Sequence, residues 1–211
     1  NIAAINGKED GHDLFAKDYQ EYTIDKRSVT KSGKQQTDAD GGALLAVDWT
    51  IDVNKDGKAN GYEKPAVIDK LETGLSLRWE NGDYAVSIKR LRWNGKAFVA
   101  EQTELAQALR TQWRYDEAEN TFAFELPKNE SGNYDAYRLV LTTDVDPELA
   151  GQSITNKVSY SAQTGEIVGG SGTVEIRQFG AGGSGADGGT AAERKSLTLT
   201  KVSSQNTELK L

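Results

Sequence analysis

Residues 43–53, with the sequence ALLAVDWTIDV, carry the clearest strand pattern in the chain. From Val47 onward apolar and polar side chains alternate, which places Val47, Trp49, Ile51 and Val53 on one face. β-Branched and aromatic side chains on a single face suit a strand with one side in a core. The stretch therefore predicts a sheet whose inner face packs against another layer.

Short stretches of the same kind continue along the chain between Gly-, Asn- and Asp-rich turns. Asn81-Gly82 is a strong hairpin-turn signal, and residues 103–110 (TELAQALR) predict one short helix with Thr103 as its N-cap. Regular strand spacing favours an antiparallel sandwich. We therefore expect an all-β, immunoglobulin-like β-sandwich with one short helix. Its further strands are predicted at 84–93, 119–126, 137–143, 153–162 and 173–179.

Composition narrows the chemistry available to this chain of 211 residues. It contains no cysteine, so disulfides, thiolate catalysis and cysteine zinc sites are excluded, and any covalent staple must be of another kind. The net charge of −7 disfavours binding to nucleic acid or anionic lipid. Without a long apolar run or a signal peptide, we expect a mature or excised soluble piece with no membrane insertion.

Composition also suggests a division of the chain. We expect a polar lead-in segment at 1–26, the main β domain at 27–180 and a Gly-rich flexible linker at 181–194. Residues 195–211 begin with another strand-like pattern but are too few to build a second core. They are either the first strand of a truncated module or a strand that docks on the main domain.

Four motifs follow one another along the chain: VTKSG (29–33), VDWTIDVN (47–54), AVIDKLETGLSL (66–77) and ITNKVSYS (154–161). In this order they resemble the collagen-adhesin A-type domains of Gram-positive surface proteins. In those domains a strand with a reactive lysine precedes a Trp-containing strand, an Asp-containing segment follows, and an Asn lies in a late strand. The segment KSLTLTKV at 195–202 is similar to the first strand of a B-type repeat, with Lys201 as the corresponding lysine.

The resemblance implies a non-enzymatic structural or adhesive module of a Gram-positive surface protein or pilin. It implies an extracellular, cell-wall-anchored location. The expected partners are a host extracellular matrix protein, such as collagen, or neighbouring domains of the same surface protein. No cofactor is implied.

The resemblance also implies an intramolecular isopeptide bond between Lys31 and Asn156, with Asp69 as the catalyst. Burial would lower the pKa of a lysine and expose its lone pair, and would keep a carboxyl in its neutral acid form. A neutral Asp69 could then polarise the Asn156 carboxamide and move a proton to the leaving ammonia. Taken singly, Lys31 is better explained as a solvated strand end, Asp69 as a turn or cap residue and Asn156 as a turn former, whereas the order of the motifs favours the crosslink. Lys26 and Lys34 are alternatives for the lysine, and the order of the motifs favours Asp69 over a nearby acid such as Asp48 or Asp52 as the catalyst.

Residues 52–63 (DVNKDGKANGYE) match a calcium-loop pattern. Asp52, Asn54 and Asp56 would supply side-chain oxygens, Lys58 a backbone carbonyl and Glu63 a bidentate carboxylate. The loop follows a strand rather than a helix, and a polar hairpin tip is the alternative interpretation.

Trp79, Trp93 and Trp113 lie near several arginines in the sequence. Such residues form either a recognition surface or aromatic packing edged by arginine side chains. With the loop at 52–63, they leave a calcium-dependent or carbohydrate-binding β-sandwich module as the alternative function.

Overall fold

The computed structural model describes residues 6–9, 12–15, 28–61, 63–161 and 167–177. Most of the lead-in segment, the linker at 181–194 and the segment 195–211 with Lys201 lie outside the described residues. The division of the chain proposed above therefore remains a prediction at both ends.

The described residues form strands joined by turns. In chain order the strands are β1 (Asn6–Glu9), β2 (His12–Phe15), β3 (Val29–Thr37), β4 (Ala43–Val53), β5 (Ala66–Lys70), β6 (Leu75–Leu77), β7 (Trp79–Glu80), β8 (Asp83–Tyr84), β9 (Val86–Trp93), β10 (Phe98–Ala100), β11 (Trp113–Asp116), β12 (Thr121–Glu125), β13 (Ala136–Val145), β14 (Ser153–Ser161) and β15 (Ile167–Glu175).

Two antiparallel sheets make up the domain. The first has the order β10-β9-β13-β4-β3, with β6 also paired to β13, and the second has the order β11-β12-β5-β14-β15. Two small hairpins, β1-β2 and β7-β8, lie outside these sheets. Strands β3 and β15 are therefore edge strands, one from each sheet.

The inner faces of the two sheets share one core. Phe124 of the second sheet packs edge-on against Tyr137 of the first, with ring centroids 5.6 Å apart. Strand β4 has the predicted bounds, and Val47, Trp49 and Ile51 are fully buried as its alternation indicates. The predicted all-β antiparallel fold is confirmed.

The prediction of a helix at residues 103–110 is wrong. Residues 106–110 form hydrogen-bonded turns, residues 103–105 are irregular, and the helices of the described chain are two 3-10 turns, Lys58–Gly61 and Pro147–Leu149. The Glu104 carboxylate, not Thr103, accepts hydrogen bonds from the Leu105 and Ala106 amides and from Ile88 N–H at 2.7 Å. Because Leu105 N–H also donates to the Ile88 carbonyl, the segment is tied to β9 instead of continuing as a helix.

The turn at Asn81-Gly82 agrees with its prediction, whereas the start of the last strand does not. Asn81 and Gly82 both have positive φ and join β7 to β8 in a two-residue hairpin, as predicted. Strand β15 begins at Ile167 rather than at 173 and includes three glycines that lie before the predicted strand. No helix among the described residues is long and apolar enough to cross a membrane.

Candidate isopeptide site

Lys31, Asp69 and Asn156 occupy inward-facing positions on three different strands. Lys31 lies on β3 two residues after the buried Val29, and Asp69 lies on β5 two residues after the buried Val67. Asn156 lies on β14 between the buried Ile154 and Val158. Because side chains alternate along a strand, each polar group takes a position that its apolar neighbours predict for the core.

Lys31 and Asp69 meet between the two sheets. Lys31 Nζ donates to Asp69 Oδ2, and both side chains are fully buried. The ring centroid of Trp49, on the neighbouring strand β4, lies 5.2 Å from Nζ. The amine is therefore bounded by a carboxyl from one sheet and an indole from the other.

The Asn156 carboxamide is buried without a hydrogen-bond partner among the described residues. Its Oδ1 and Nδ2 are both unsatisfied, and so is Asp69 Oδ1. The carboxamide nevertheless lies close enough to Asp69 for a hydrogen-bond interaction that lowers the pKa of that carboxyl, against the larger effect of burial. An unpaired buried polar group costs about 1–3 kcal/mol. Such groups gathered beside a buried amine call for an explanation beyond packing.

Burial moves the two titratable groups towards their neutral forms. Desolvation lowers the pKa of Lys31 to about 8, although the attraction of Asp69 opposes the shift. Desolvation likewise raises the pKa of Asp69, against the opposing influence of Lys31. Both changes favour a proton on the carboxyl and a free lone pair on the amine.

A cleft of about 820 Å³ leads from the surface to the Lys31 side of this site. It opens where β5 and β14 separate, because their ladder contains only the pairs Ser159–Ile68, Tyr160–Val67 and Ser161–Ala66. Glu72 also lines the cleft, and its charge raises the pKa of both Lys31 and Asp69. Sequence reasoning missed Glu72, which belongs to the Asp-containing motif but lies beyond the end of β5.

The described alternatives to Lys31 as the reactive lysine and to Asp69 as the catalytic acid do not lie beside Asn156. Lys34 is exposed on β3, and Lys26 is outside the described residues. Asp48 accepts hydrogen bonds from Gln36 and Thr142 on the opposite side of β4 from the core. Neither Lys34 nor Asp48 is buried with Asn156.

Three of the side chains proposed as calcium ligands in the loop at 52–63 accept hydrogen bonds from other groups of the protein. Arg138 binds both oxygens of Asp52, at 2.7 and 2.9 Å. Asn54 Oδ1 accepts from Ala59 N–H, and Asp56 Oδ2 accepts from Ser28 Oγ. Glu63, the proposed bidentate ligand, is exposed.

The described residues contain no group of three or more His, Cys, Asp or Glu side chains that could hold a metal ion. The Asp52, Asn54, Asp56, Lys58 and Glu63 set lies where the chain passes from β4 of the first sheet to β5 of the second, so the alternative of a hairpin tip is wrong. Calcium binding by this set stays a prediction.

The tryptophans that were candidates for a recognition surface do not form one cluster. Trp113 is buried, donates to the Ala106 carbonyl and is covered by the Arg110 guanidinium 4.0 Å from the ring centroid. Trp79 is 60% exposed and packs against Tyr84, whereas Trp93 is 42% exposed and packs against Phe98. Of the two interpretations, aromatic packing edged by arginine fits Trp113. Trp79 and Trp93 are the exposed tryptophan rings.

No protein-family model and no curated protein matches the sequence. Among solved structures, the Enterococcus faecalis MSCRAMM ACE, described as binding its ligands by the collagen hug model, matches with a TM-score of 0.50 at 11% identity. That match covers 80% of this chain and 55% of ACE. Staphylococcus aureus collagen adhesin CNA matches with a TM-score of 0.48 at 16% identity. It covers 72% of this chain and 50% of CNA.

A collagen-binding domain from a S. aureus adhesin matches with a TM-score of 0.45 at 16% identity, covering 72% of this chain and 97% of that domain. The chain thus spans about half the length of CNA and ACE. At these identities the likeness concerns the fold, and it agrees with the antiparallel sandwich described above. The chain has the fold of a collagen-adhesin domain of Gram-positive surface proteins.

Proposed function

We propose that this chain is a structural or adhesive module of a Gram-positive surface protein or pilin, stapled by a Lys31–Asn156 isopeptide bond. The observation that supports the staple most strongly is the buried Lys31–Asp69 contact beside an unpaired Asn156 carboxamide. Lysine, carboxyl and carboxamide are the groups that such a bond requires, and they lie between the two sheets.

The reaction starts from neutral Lys31 and protonated Asp69. The Nζ lone pair attacks Asn156 Cγ while the Asp69 carboxyl hydrogen-bonds the carboxamide oxygen and draws charge from that carbon. Asp69 passes a proton to Nδ2 and receives one from Nζ. The Nζ–Cγ bond forms, the Cγ–Nδ2 bond breaks, and one ammonia leaves by way of the cleft.

The chemistry happens once in the life of each molecule. Asp69 is regenerated, but Lys31 and Asn156 are consumed, so the module has no turnover as an enzyme. The product would join β3 of the first sheet to β14 of the second. A covalent link across the sandwich resists separation of the sheets, which suits a module that bears mechanical load.

Adhesion is the second part of the proposal. It rests on the fold and on the neighbours, among them a collagen-binding domain of S. aureus and the ACE protein of E. faecalis. By this proposal the module lies outside the cell, anchored to the wall, with a host matrix protein such as collagen as its partner. Because the chain spans about half of CNA and ACE, the alternative role is a stalk unit that contacts neighbouring domains of its own protein.

Peptide mapping tests the staple. A protease digest of the folded wild type should yield one branched peptide that joins the Lys31 and Asn156 segments. Asn156→Ala and Lys31→Arg should yield only linear peptides, whereas the matched control Lys34→Arg should keep the branch. Linear Lys31 and Asn156 peptides from folded wild type would contradict the staple.

Solid-phase binding tests adhesion separately. The folded chain should bind immobilised collagen in a saturable way, with bovine serum albumin as the surface control. Signal equal to the albumin surface across collagen types and other matrix proteins would leave the stalk role and remove the adhesive one.

A further inference from the structure

Three glycines interrupt strand β15, in the sequence VGGSGTV at 168–174. Glycine inside a strand weakens it, and it often marks a place where another backbone approaches closely. Here the approaching backbone belongs to β3, the edge strand of the opposite sheet that carries Lys31. The glycines therefore lie where the two sheets meet at their edges.

The approach is tightest at Gly172. A Cβ built there would lie 2.9 Å from Ser32 Cα, 3.0 Å from Ser32 C and 3.1 Å from Gly33 N, all of them backbone atoms. At Gly170 the nearest atoms would be Val158 Cγ1 at 3.3 Å and the Val29 carbonyl oxygen at 3.4 Å. Gly169 has room, because its nearest atom would be the Val158 carbonyl oxygen at 3.9 Å.

Gly172 is also the ladder partner of Asn156. Strands β14 and β15 pair antiparallel, and Asn156 lies opposite Gly172. On the other side, Ser32 follows Lys31 directly in β3. A side chain at position 172 would press on the backbone of β3, and the ladder would carry the displacement to Asn156. The spacing of Lys31 and Asn156 across the sandwich thus depends on the absence of a side chain at Gly172.

We propose that Gly172, assisted by Gly170, is a positioning residue for isopeptide formation because it lets β15 close on β3 and sets the distance between Lys31 Nζ and Asn156 Cγ. This inference rests on the proposed function. Gly172 contacts none of the reacting atoms and acts through the placement of two strands.

The expected effect follows from the clash. Relief of a 2.9 Å contact to backbone requires a displacement of several tenths of an ångström. Because misplacement by about 1 Å can cost on the order of 100-fold in rate, Gly172→Ala should slow crosslinking by roughly 10- to 100-fold. Gly170→Ala, whose neighbours can yield, should slow it by only a few fold, and Gly169→Ala should be unchanged.

The experiment uses the full chain, dissolved from inclusion bodies in urea and released into buffer at several pH values. Intact mass followed over time gives the rate of ammonia loss, and tryptophan fluorescence gives the folded fraction in each sample. The rate per folded molecule should fall in the order Gly169→Ala, Gly170→Ala, Gly172→Ala. The shape of the pH profile should match the wild type, because the titrating groups are unaltered.

The possible results separate two failures. Wild type that folds without losing ammonia overturns the proposed function itself. Wild type that crosslinks while Gly172→Ala crosslinks equally fast overturns the positioning role alone. If Gly172→Ala does not fold, the comparison of Gly170→Ala with Gly169→Ala decides, and equal rates in that pair contradict the proposal.

Discussion

At the scale of single residues, Asp69 has the most demanding place in the molecule. It is fully buried, one carboxyl oxygen contacts the Lys31 amine and the other has no hydrogen-bond partner among the described residues. A carboxylate in that position would be costly to desolvate, whereas a neutral acid is tolerated. The same neutral form is the one that can polarise a carboxamide.

Replacement of Asp69 by Ala or Asn should abolish ammonia loss. Neither side chain can pass a proton between the amine and the leaving group, and Lys31 loses the group that takes its proton. The measurement is the intact mass of the folded variants after prolonged incubation. Asp48→Asn is the matched control and should crosslink fully. Crosslinking in folded Asp69→Ala at the wild-type rate would remove Asp69 from the mechanism.

The rate of crosslinking should fall as the pH drops below about 8. Burial lowers the pKa of Lys31 to about 8, so the amine gains a proton below that pH and loses its lone pair. Above that pH the amine is free. Burial raises the pKa of Asp69, so its carboxyl keeps the proton to higher pH than an exposed aspartate would, and the rate falls once that proton is lost. Chain released from urea at a series of pH values, with the mass followed over time, gives this profile. A rate that rises towards pH 5 would contradict the assignment of Lys31 as the nucleophile.

Glu72 should shift that profile. Its charge raises the pKa of both Lys31 and Asp69, so Glu72→Gln should lower both values and move the whole rate profile to lower pH. The shift should amount to a fraction of a pH unit, since Glu72 is exposed and solvent screens its charge. Glu125→Gln, on the exposed face of β12, is the control. Identical profiles for the two variants would show that Glu72 has no such influence.

At the scale of elements, the strands that sequence patterns predicted best are those that alternate without glycine. The bounds of β4 match their prediction, and β13 and β14 differ from theirs by a few residues at most. The start of β15 was missed because glycines in a strand look like a turn. Their reason is the contact with β3, which joins residues far apart in the chain and leaves no local signal.

The missing helix has a related cause. Residues 103–110 have helical periodicity, yet Glu104 and Leu105 hydrogen-bond to β9, and Leu105 and Leu109 pack against the core. Tertiary contacts override a weak local preference over so short a segment. For the site, the residue types and their inward faces were predictable, whereas the cleft and Glu72 depend on where β5 and β14 separate.

Gly33 on β3 provides an element-scale prediction. A Cβ at this position would lie 2.5 Å from Trp49 Cζ3, so Gly33→Ala should push the indole aside and destabilise the domain by about 1–3 kcal/mol. Urea denaturation in an Asn156→Ala background, which cannot crosslink, measures the change as an equilibrium free energy. Gly61→Ala, with no atom within 4 Å of its Cβ, is the control. Equal midpoints for the two variants would contradict the packing described for Trp49.

At the scale of the whole molecule, the crosslink would tie an early strand to a late one and enclose most of the sandwich. In the chain-entropy model, closure of a loop of about 100 residues stabilises the folded state by ~4.7 kcal/mol. The benefit arises in the unfolded chain, which loses freedom, so it requires no change in the folded structure. In this domain without cysteine, the isopeptide bond would restrict the unfolded chain as disulfide bonds do in other proteins.

Loss of the crosslink should therefore lower the melting temperature. Asn156→Ala should melt on the order of 10 °C below the wild type, from the loop entropy and the usual relation of stability to melting temperature. Scanning calorimetry measures the difference, and Asn133→Ala, on the exposed loop before β13, is the control. A melting temperature within error of the wild type would show that no covalent link constrains the unfolded chain.

The central claim is that the folded chain has made one Lys31–Asn156 amide, and the intact mass of the purified protein tests it most directly. Mass spectrometry under denaturing conditions should give the sequence mass less one ammonia for the wild type, and the full sequence mass for Asp69→Ala and Asn156→Ala. A folded wild type with the full sequence mass would contradict the account.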